Sequence, residues 1–543
     1  MFQSICGLFS VSGVSICFSV PMSYRCPKPL ILYRDFIAFS LDISYLCPYI
    51  YSKLKRSIEV NTLYVNSREV KMKDLNRREF LSLMAGGSVA AGLSMAGCES
   101  GFAGGGAAAK KPPNIVFLLT DDQRWDTMGC TGNPIIQTPN MDAMAKGGVR
   151  FTNAFVTTSI CASSRASIFS GQWTSRHGVT DFRTHFSSEA LAQTYPMQLR
   201  SAGYRTGFIG KYGVGAKKTL PVDQYDYWKG FPGQGRYENK DADGNYKHLT
   251  QIMGEQAIEF LQGCSKDQPF CLSVSFKAPH VQDSDPRQFI YDRAYKDLYK
   301  DTVIPVPEKA SRHYFEALPE FLRTSEARRR WDIRFSTPEK FQESVKGYYR
   351  LIFGVDVVIG KIREQLKQLD FDDNTVLMLI GDNGFYLGEY GLAGKWFPHE
   401  ESIRVPLVVF DPRAGNKLRG RTLDQVALNV DIAPTILELA GIKPPEQMQG
   451  RSLVPLLKGK KPKWRTEFFY EHSFEHKTIA KTIALRTQDY KYARYVDYDY
   501  EELYDLKLDP AESINLAKDE KYKKTLESLR KRCNDLAQRA KGT

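Results

Sequence analysis

Continuous apolar runs, each halted by a polar or charged stop, set the rhythm of this chain. Asn114-Ile-Val-Phe-Leu-Leu-Thr120 halts at Asp121-Asp122, and the run 206–210 halts at Lys211. The run 270–276 ends in Lys277-Ala-Pro-His280, and 375–380 ends in Gly381-Asp382-Asn383-Gly384. Short runs without polar alternation read as strands buried on both faces. Helical spacing lies between them, most clearly over 351–369. Strands alternating with helices predict an α/β fold with a large mixed, mostly parallel sheet flanked by helices. Residues 407–410 read as a further strand. Residues 431–440 read as a helix, with Asp431 as N-cap, Pro434 in the first turn and Gly441 as the stop. Beyond residue 460 the pattern shortens. Strand-like runs open at Thr466, Thr482 and Tyr490, and a helix follows over about 520–540. This predicts a smaller C-terminal α+β domain, 460–543, of antiparallel strands and a helix, after a larger α/β domain over 113–459. The stretch 285–350, rich in Tyr, Arg and Lys and containing Arg328-Arg-Arg-Trp331, reads as a long substrate-facing lid.

The N-terminal part follows a different logic. Met72-Lys-Asp-Leu-Asn-Arg77-Arg78-Glu-Phe80-Leu81 pairs twin arginines with an apolar follow-on, and a small-residue run leads to Met95-Ala96-Gly97-Cys98. The apolar stretch is short for a membrane span. Residues 72–97 therefore read as a twin-arginine export signal of a bacterial lipoprotein, with Cys98 as the lipid-anchored residue. Residues 98–112 read as a flexible tether. The expected location is the bacterial periplasm or cell envelope. Residues 1–71 have no place in that scheme and read as an extension upstream of the true start, the alternative being that the apolar run 8–20 is itself a signal. The chain has 543 residues and a net charge of +13, which suits anionic partners without separating sulfated glycan, nucleic acid or membrane. None of the ten cysteines forms a Cys-x-x-Cys pair, which argues against thiolate zinc. Cys264 and Cys271 are close enough in sequence to pair in an oxidising compartment.

In a parallel sheet, ligands bind beyond the carboxyl ends of the strands. The four stops thus bring Asp121, Asp122, Lys211, His280, Asp382 and Asn383 toward one edge. Asp121, Asp122, Asp382 and Asn383 make an oxygen-rich set suited to calcium or magnesium. The Asp pair alone is equally compatible with a cap or turn. Cys161-Ala-Ser-Ser-Arg165 reads as the start of a helix with Cys161 and Arg165 on one face. A cysteine there is either a nucleophile at an anion-favouring helix N-terminus or a buried structural thiol. Lys395 follows Gly394 in a loop dense in glycine and charge.

Taken in order, these segments, with Leu503-Tyr-Asp-Leu-x-x-Asp509-Pro, resemble a type I, formylglycine-dependent sulfatase of the alkaline phosphatase superfamily. The resemblance implies an alkaline phosphatase-like fold and sulfate ester hydrolysis, with sulfated glycans as substrates rather than nucleic acid. It implies oxidation of Cys161 to Cα-formylglycine (3-oxoalanine) by a formylglycine-generating or maturase enzyme. It also implies one Ca2+ held by Asp121, Asp122, Asp382, Asn383 and residue 161. Arg165 would steady the formylglycine, Lys211 and Lys395 would bind sulfate oxygens, and His280 would protonate the leaving oxygen or contact the sulfate. The chain departs from the family pattern at Ser163, where Pro or Ala is usual, and at Gly213, where the family has a histidine. His177 and His185 are the candidates to replace that histidine. Two other readings use the same residues: a phosphomonoester or phosphonate hydrolase of the superfamily, and a glycan-binding lipoprotein without catalysis.

Overall fold

The structure, a computed structural model, describes residues 111–542 and two strands near the N-terminus, Ile5–Val11 and Val14–Val20. Those two strands pair antiparallel with each other and take up the apolar run 8–20. The twin-arginine segment, Cys98 and the tether up to residue 110 lie outside the described residues. No described helix is long and apolar enough to cross a membrane.

The predicted sheet is present with eight strands. In space they run Arg421–Leu423, Val149–Phe151, Leu407–Phe410, Thr375–Gly381, Asn114–Asp121, Phe270–Pro279, Arg205–Lys211 and Tyr227–Phe231. Every neighbouring pair is parallel except those made by Leu407–Phe410, which runs against both neighbours. The three central apolar strands are buried along their whole length, which is why they read as unbroken hydrophobic runs. Side chains alternate across the sheet into two cores. Ile115, Phe117 and Leu119 face one, and Val116 and Leu118 face the other.

The two cysteines that lie close in sequence fall on opposite sides of the sheet, Cys271 in its strand and Cys264 after the helix that precedes it. Cys271 points into the first core while Cys264 packs against the second, and both are unpaired thiols rather than a disulfide.

Two helical expectations change. The helix expected over 351–369 begins at Pro338 and runs 31 residues to Gln368, N-capped by the Thr337 hydroxyl. The end of the predicted lid is therefore its first turns, and the lid itself contains short helices, including Glu326–Arg334. The N-terminal half of the long helix reads as irregular in sequence because its exposed positions are Pro338, Glu339, Lys340 and Glu343, while the polar residues Ser344, Tyr348, Tyr349 and Arg350 lie on the buried side. The helix Ile432–Leu439 does start at Asp431, but the Asp431 side chain does not cap it. Its oxygens are occupied by Arg465 and by the Leu428 and Arg451 amides.

The C-terminal part is a four-stranded antiparallel sheet, Glu467–His472, Thr482–Thr487, Tyr490–Tyr495 and Tyr500–Asp505, with the helix Lys523–Lys541. It packs on the main sheet's domain within one compact unit. Phe468 packs against Phe155 with the rings tilted by 32°, and Trp173 donates to the Phe469 carbonyl. The Tyr470 hydroxyl lies 2.6 Å from both the Ser159 hydroxyl and the Trp396 carbonyl.

Candidate active site

Strands 375–381, 114–121, 270–279 and 205–211 are consecutive parallel neighbours, so their carboxyl ends share one edge. The side chains expected there do converge. The helix Cys161–Ser170 begins at this edge and is buried throughout. The Cys161 thiol donates to Asp121 Oδ1 at 3.2 Å. One turn on, Arg165 Nε donates to Asp382 Oδ2 at 2.8 Å, and its Nη2 lies 3.5 Å from Asp121 Oδ2. Its Nη1 donates to the Lys211 carbonyl and to the Ser275 hydroxyl. Lys211 pairs with Asp121 and donates to Gln234 Oε1 at 2.7 Å. Lys395 pairs with Asp122 and donates to Cys161 Sγ at 3.4 Å. His280 Nδ1 donates to the Val281 carbonyl at 2.7 Å, which leaves Nε2 as an acceptor 3.6 Å from Asp122 Oδ2.

Charge in this buried cluster is nearly balanced. Asp121, Asp122 and Asp382 face Arg165, Lys211 and Lys395, with His280 beside them. Burial alone would raise Asp121, but the charges of Lys211, Arg165 and Lys395 hold it well below the usual carboxylate range. Burial and the Asp121 charge push Asp382 up to about 7, and burial also raises Asp122 against the pull of Lys395. Burial, then the Asp121 charge, raises the Cys161 thiol to about 12. Burial, then Lys395, keeps His280 well below its ordinary value.

The donor set fits a metal ion. Asp122 Oδ2 and Asn383 Oδ1 are buried without a hydrogen-bond partner, and an orphaned buried oxygen is costly unless a cation satisfies it. Ligand atoms of Asp121, Asp122, Cys161 and His280 all lie within 4.8 Å of one another. Asp382 stands apart from that set: its Oδ1 accepts the Asp122 amide at 3.1 Å and its Oδ2 accepts Arg165.

The two departures take physical form here. Ser163 is buried inside the first turn of the Cys161 helix. Gly213 has φ +79°, and a Cβ there would lie 2.5 Å from Arg165 Cδ, so Arg165 fills the room a side chain would need. Neither candidate substitute joins the cluster, in which His280 is the histidine. His177 lies behind the helix, 3.0 Å from the Ser167 hydroxyl, with Nδ1 accepting the Val179 amide. His185 packs by its Cβ against Gly215.

Known proteins resemble this chain in sequence and in fold. The model of the family described as Sulfatase matches residues 113–442. The chain belongs to the sulfatase family. A second model, N-sulphoglucosamine sulphohydrolase, C-terminal, matches residues 388–539 of this sulfatase. The chain is 30% identical over 509 residues to an N-acetylglucosamine-6-O-sulfatase of Bacteroides thetaiotaomicron, covering 81% of this chain and 88% of that one. An arylsulfatase of Clostridium perfringens is 29% identical over 77% of this chain and 93% of its own length. A protein solved in complex with its substrate D-glucosamine-2-N,6-O-disulfate superposes with a TM-score of 0.68 at 28% identity, covering 80% of this chain and 99% of that one. A phosphonate monoester hydrolase of Agrobacterium radiobacter shares the fold, with a TM-score of 0.61 at 22% identity and coverage of 79% and 96%. The sulfatase is accordingly a sulfuric ester hydrolase with the alkaline phosphatase-like fold.

Several groups at the sulfatase site carry no usable signal in the sequence. Ser275 joins Arg165 to the Lys211 carbonyl from inside an apolar run. Tyr348, on the long helix, donates to the Asp122 carbonyl at 2.6 Å and accepts the Arg124 amide, fixing the turn after Asp121. Lys277 is visible as a lysine in a buried strand end. It donates to the Val281 carbonyl at 3.1 Å, and burial followed by repulsion from Lys211 lowers it to about 8.

Proposed function

We propose that this sulfatase removes sulfate from sulfated glycans, with residue 161 acting as a formylglycine made from Cys161 and with one calcium ion in the cluster. The convergence of Lys211 and Arg165 on Asp121 and of Lys395 on residue 161, which itself bonds Asp121, around two orphaned oxygens, is the observation that carries this reading. Asp121, Asp122, Asp382, Asn383 and residue 161 would hold the ion, which when bound acidifies an attacking hydroxyl and offsets charge on the sulfate. Arg165, locked by Asp382, the Lys211 carbonyl and Ser275, orients residue 161. Lys211 and Lys395 neutralise the carboxylates in this structure; with a divalent cation present, their charge is released for sulfate oxygens. His280, its ring fixed by the Val281 carbonyl, turns Nε2 toward the cluster, where it meets the ester or leaving oxygen. Glycans are favoured as substrates because the relatives named above include an N-acetylglucosamine-6-O-sulfatase and a protein bound to a disulfated glucosamine.

The test is sulfate release from heparan, chondroitin and algal glycans by protein whose residue 161 has been read by mass spectrometry, with paired aryl sulfate and aryl phosphate esters. Release of sulfate only from protein carrying the aldehyde is the expected result. An intact thiol in fully active protein, or faster phosphate release, would overturn the reading.

We infer further that residues 72–97 export the protein by the twin-arginine route and that Cys98 anchors it to the cell envelope. Lipid labelling lost in Cys98→Ala supports this; unlabelled wild-type protein would remove it.

A further inference from the structure

We propose that Arg330 and Arg334 form a second anion subsite at the mouth of the site, taking an acidic substituent, sulfate or carboxylate, on the same glycan as the ester being cleaved. The inference rests on the sulfatase reading and adds a recognition element to it. Both arginines lie on the helix Glu326–Arg334, which spans the gap between the loop carrying His280 and the loop carrying Lys395. Arg330 places its guanidinium 5.0 Å from the ring centroid of Trp396, the neighbour of Lys395. The same guanidinium donates to Asp283, three residues past His280, at 3.3 Å. Arg334 donates to the other side of this arrangement, Nη2 to Asp283 at 2.6 Å and Nε to Gln288 at 2.9 Å. Its Nη1 is buried and has no hydrogen-bond partner.

Charge is in excess here. Arg330 and Arg334 share Asp283, and the other partner of Arg330, Glu326, is also held by Arg329. Three guanidinium groups thus face two carboxylates, in a place where a buried unpaired donor is costly. The side chain of Asp283 is 47% exposed and that of Arg330 is 18% exposed, whereas those of His280 and Lys395 are each 5% exposed. Arg330 and Asp283 therefore stand outside the reacting groups, whereas the side chain of Arg334 is fully buried. Paired guanidinium groups bind planar or tetrahedral oxyanions in bidentate fashion. An anion that displaces the solvated Asp283 carboxylate meets Arg330 and gains access to the buried, unpartnered Nη1 of Arg334.

The test compares three probes: glucosamine 6-O-sulfate, glucosamine 2-N,6-O-disulfate, and 6-O-sulfated glucosamine linked to a uronic acid. The wild type should favour at least one probe with a second anion by about tenfold in KM, the size expected for one charge-assisted contact. The disulfate and uronate arms separate sulfate from carboxylate. Arg330→Gln should bring that ratio to about one, whereas Arg329→Gln, at a residue that hydrogen-bonds Glu326 rather than Asp283, should keep it. No preference in the wild type, or full preference in Arg330→Gln, overturns the subsite. If none of the three is hydrolysed, 6-O-sulfated glucosamine is not the substrate of this sulfatase. Calorimetry with the same probes then reads the subsite by itself, with about tenfold tighter binding for it and equal affinities against it.

Discussion

Lys395 Nζ stands 3.4 Å from Cys161 Sγ and is ion-paired with Asp122, although 234 residues separate the lysine from the cysteine. The lysine therefore serves two partners, a carboxylate and whatever occupies residue 161. Lys395→Ala removes the counterion of a buried aspartate as well as a sulfate-binding group. Turnover should fall by about 10²–10³, as for loss of one preorganised donor to a transition-state oxyanion. Apo protein should also lose stability, and calcium should restore more of it than in the wild type. Steady-state kinetics with thermal melts, with and without calcium, check this; a variant with normal turnover would remove Lys395 from the mechanism.

Metal binding should be visible without any substrate. The orphaned Asp122 Oδ2 and Asn383 Oδ1 gain a partner only when a cation enters. At a hundredfold excess over its dissociation constant, an ion that binds only the folded state adds about 2.7 kcal/mol. Calcium should raise the melting temperature and chelator should lower it. Asn383→Leu should blunt that response. Identical melts in calcium and chelator would exclude a site of this affinity.

Restoring the family's histidine should do harm. Gly213→His places a Cβ 2.5 Å from Arg165 Cδ, at a backbone φ of +79°. Left-handed backbone at a non-glycine residue costs about 1–3 kcal/mol, and here the clash falls on the residue that orients position 161. Lower unfolding free energy together with lower kcat is expected. A gain in kcat would show that Arg165 has room to move.

Stability should depend on pH through Glu502, in the C-terminal sheet. Burial pushes its carboxyl up to about 8, against a hydrogen bond from Tyr495 and with Glu512 adding repulsion. His399, 3.6 Å away, is driven by burial down to about 3 and stays neutral. A carboxyl raised in the folded state binds its proton more tightly there than in the unfolded chain. Its contribution is complete below the unfolded value near 4.5 and is lost as pH rises through about 8. Glu502→Gln keeps the shape without the charge. Denaturant unfolding should show the variant gaining on the wild type between pH 5 and pH 8.5, by roughly 1.4 kcal/mol for each tenfold difference in proton affinity between the folded and unfolded carboxyl. Parallel curves would show that Glu502 titrates normally.

What can be read from the sequence follows from how each element is buried. The strands 114–121, 270–279 and 375–381 lie inside the sheet with both faces covered, so composition alone reveals them, and their polar stops reveal the edge where the chemistry sits. Direction leaves no such mark: Leu407–Phe410 is as apolar as its neighbours, yet it runs against them. The role of Asp431 is hidden for a related reason, since a good capping residue is equally a good partner for a distant arginine. Arg330 and Arg334 fall in the stretch read as a lid, but their pairing with Asp283 gives no signal, because it depends on a helix crossing two loops that are far apart in the chain.

The burial of Cys161 has a consequence in time. Its side chain is almost wholly shielded, and the strand Glu467–His472 closes over the adjoining turn through the contact of Tyr470 with Ser159. A second enzyme could not reach the sulfur once that strand has docked. Any conversion of this residue must therefore fit the interval between its emergence during synthesis and the arrival of the last eighty or so residues, at about 5–20 residues per second. The order of synthesis, with the reactive position early and its cover late, holds that interval open.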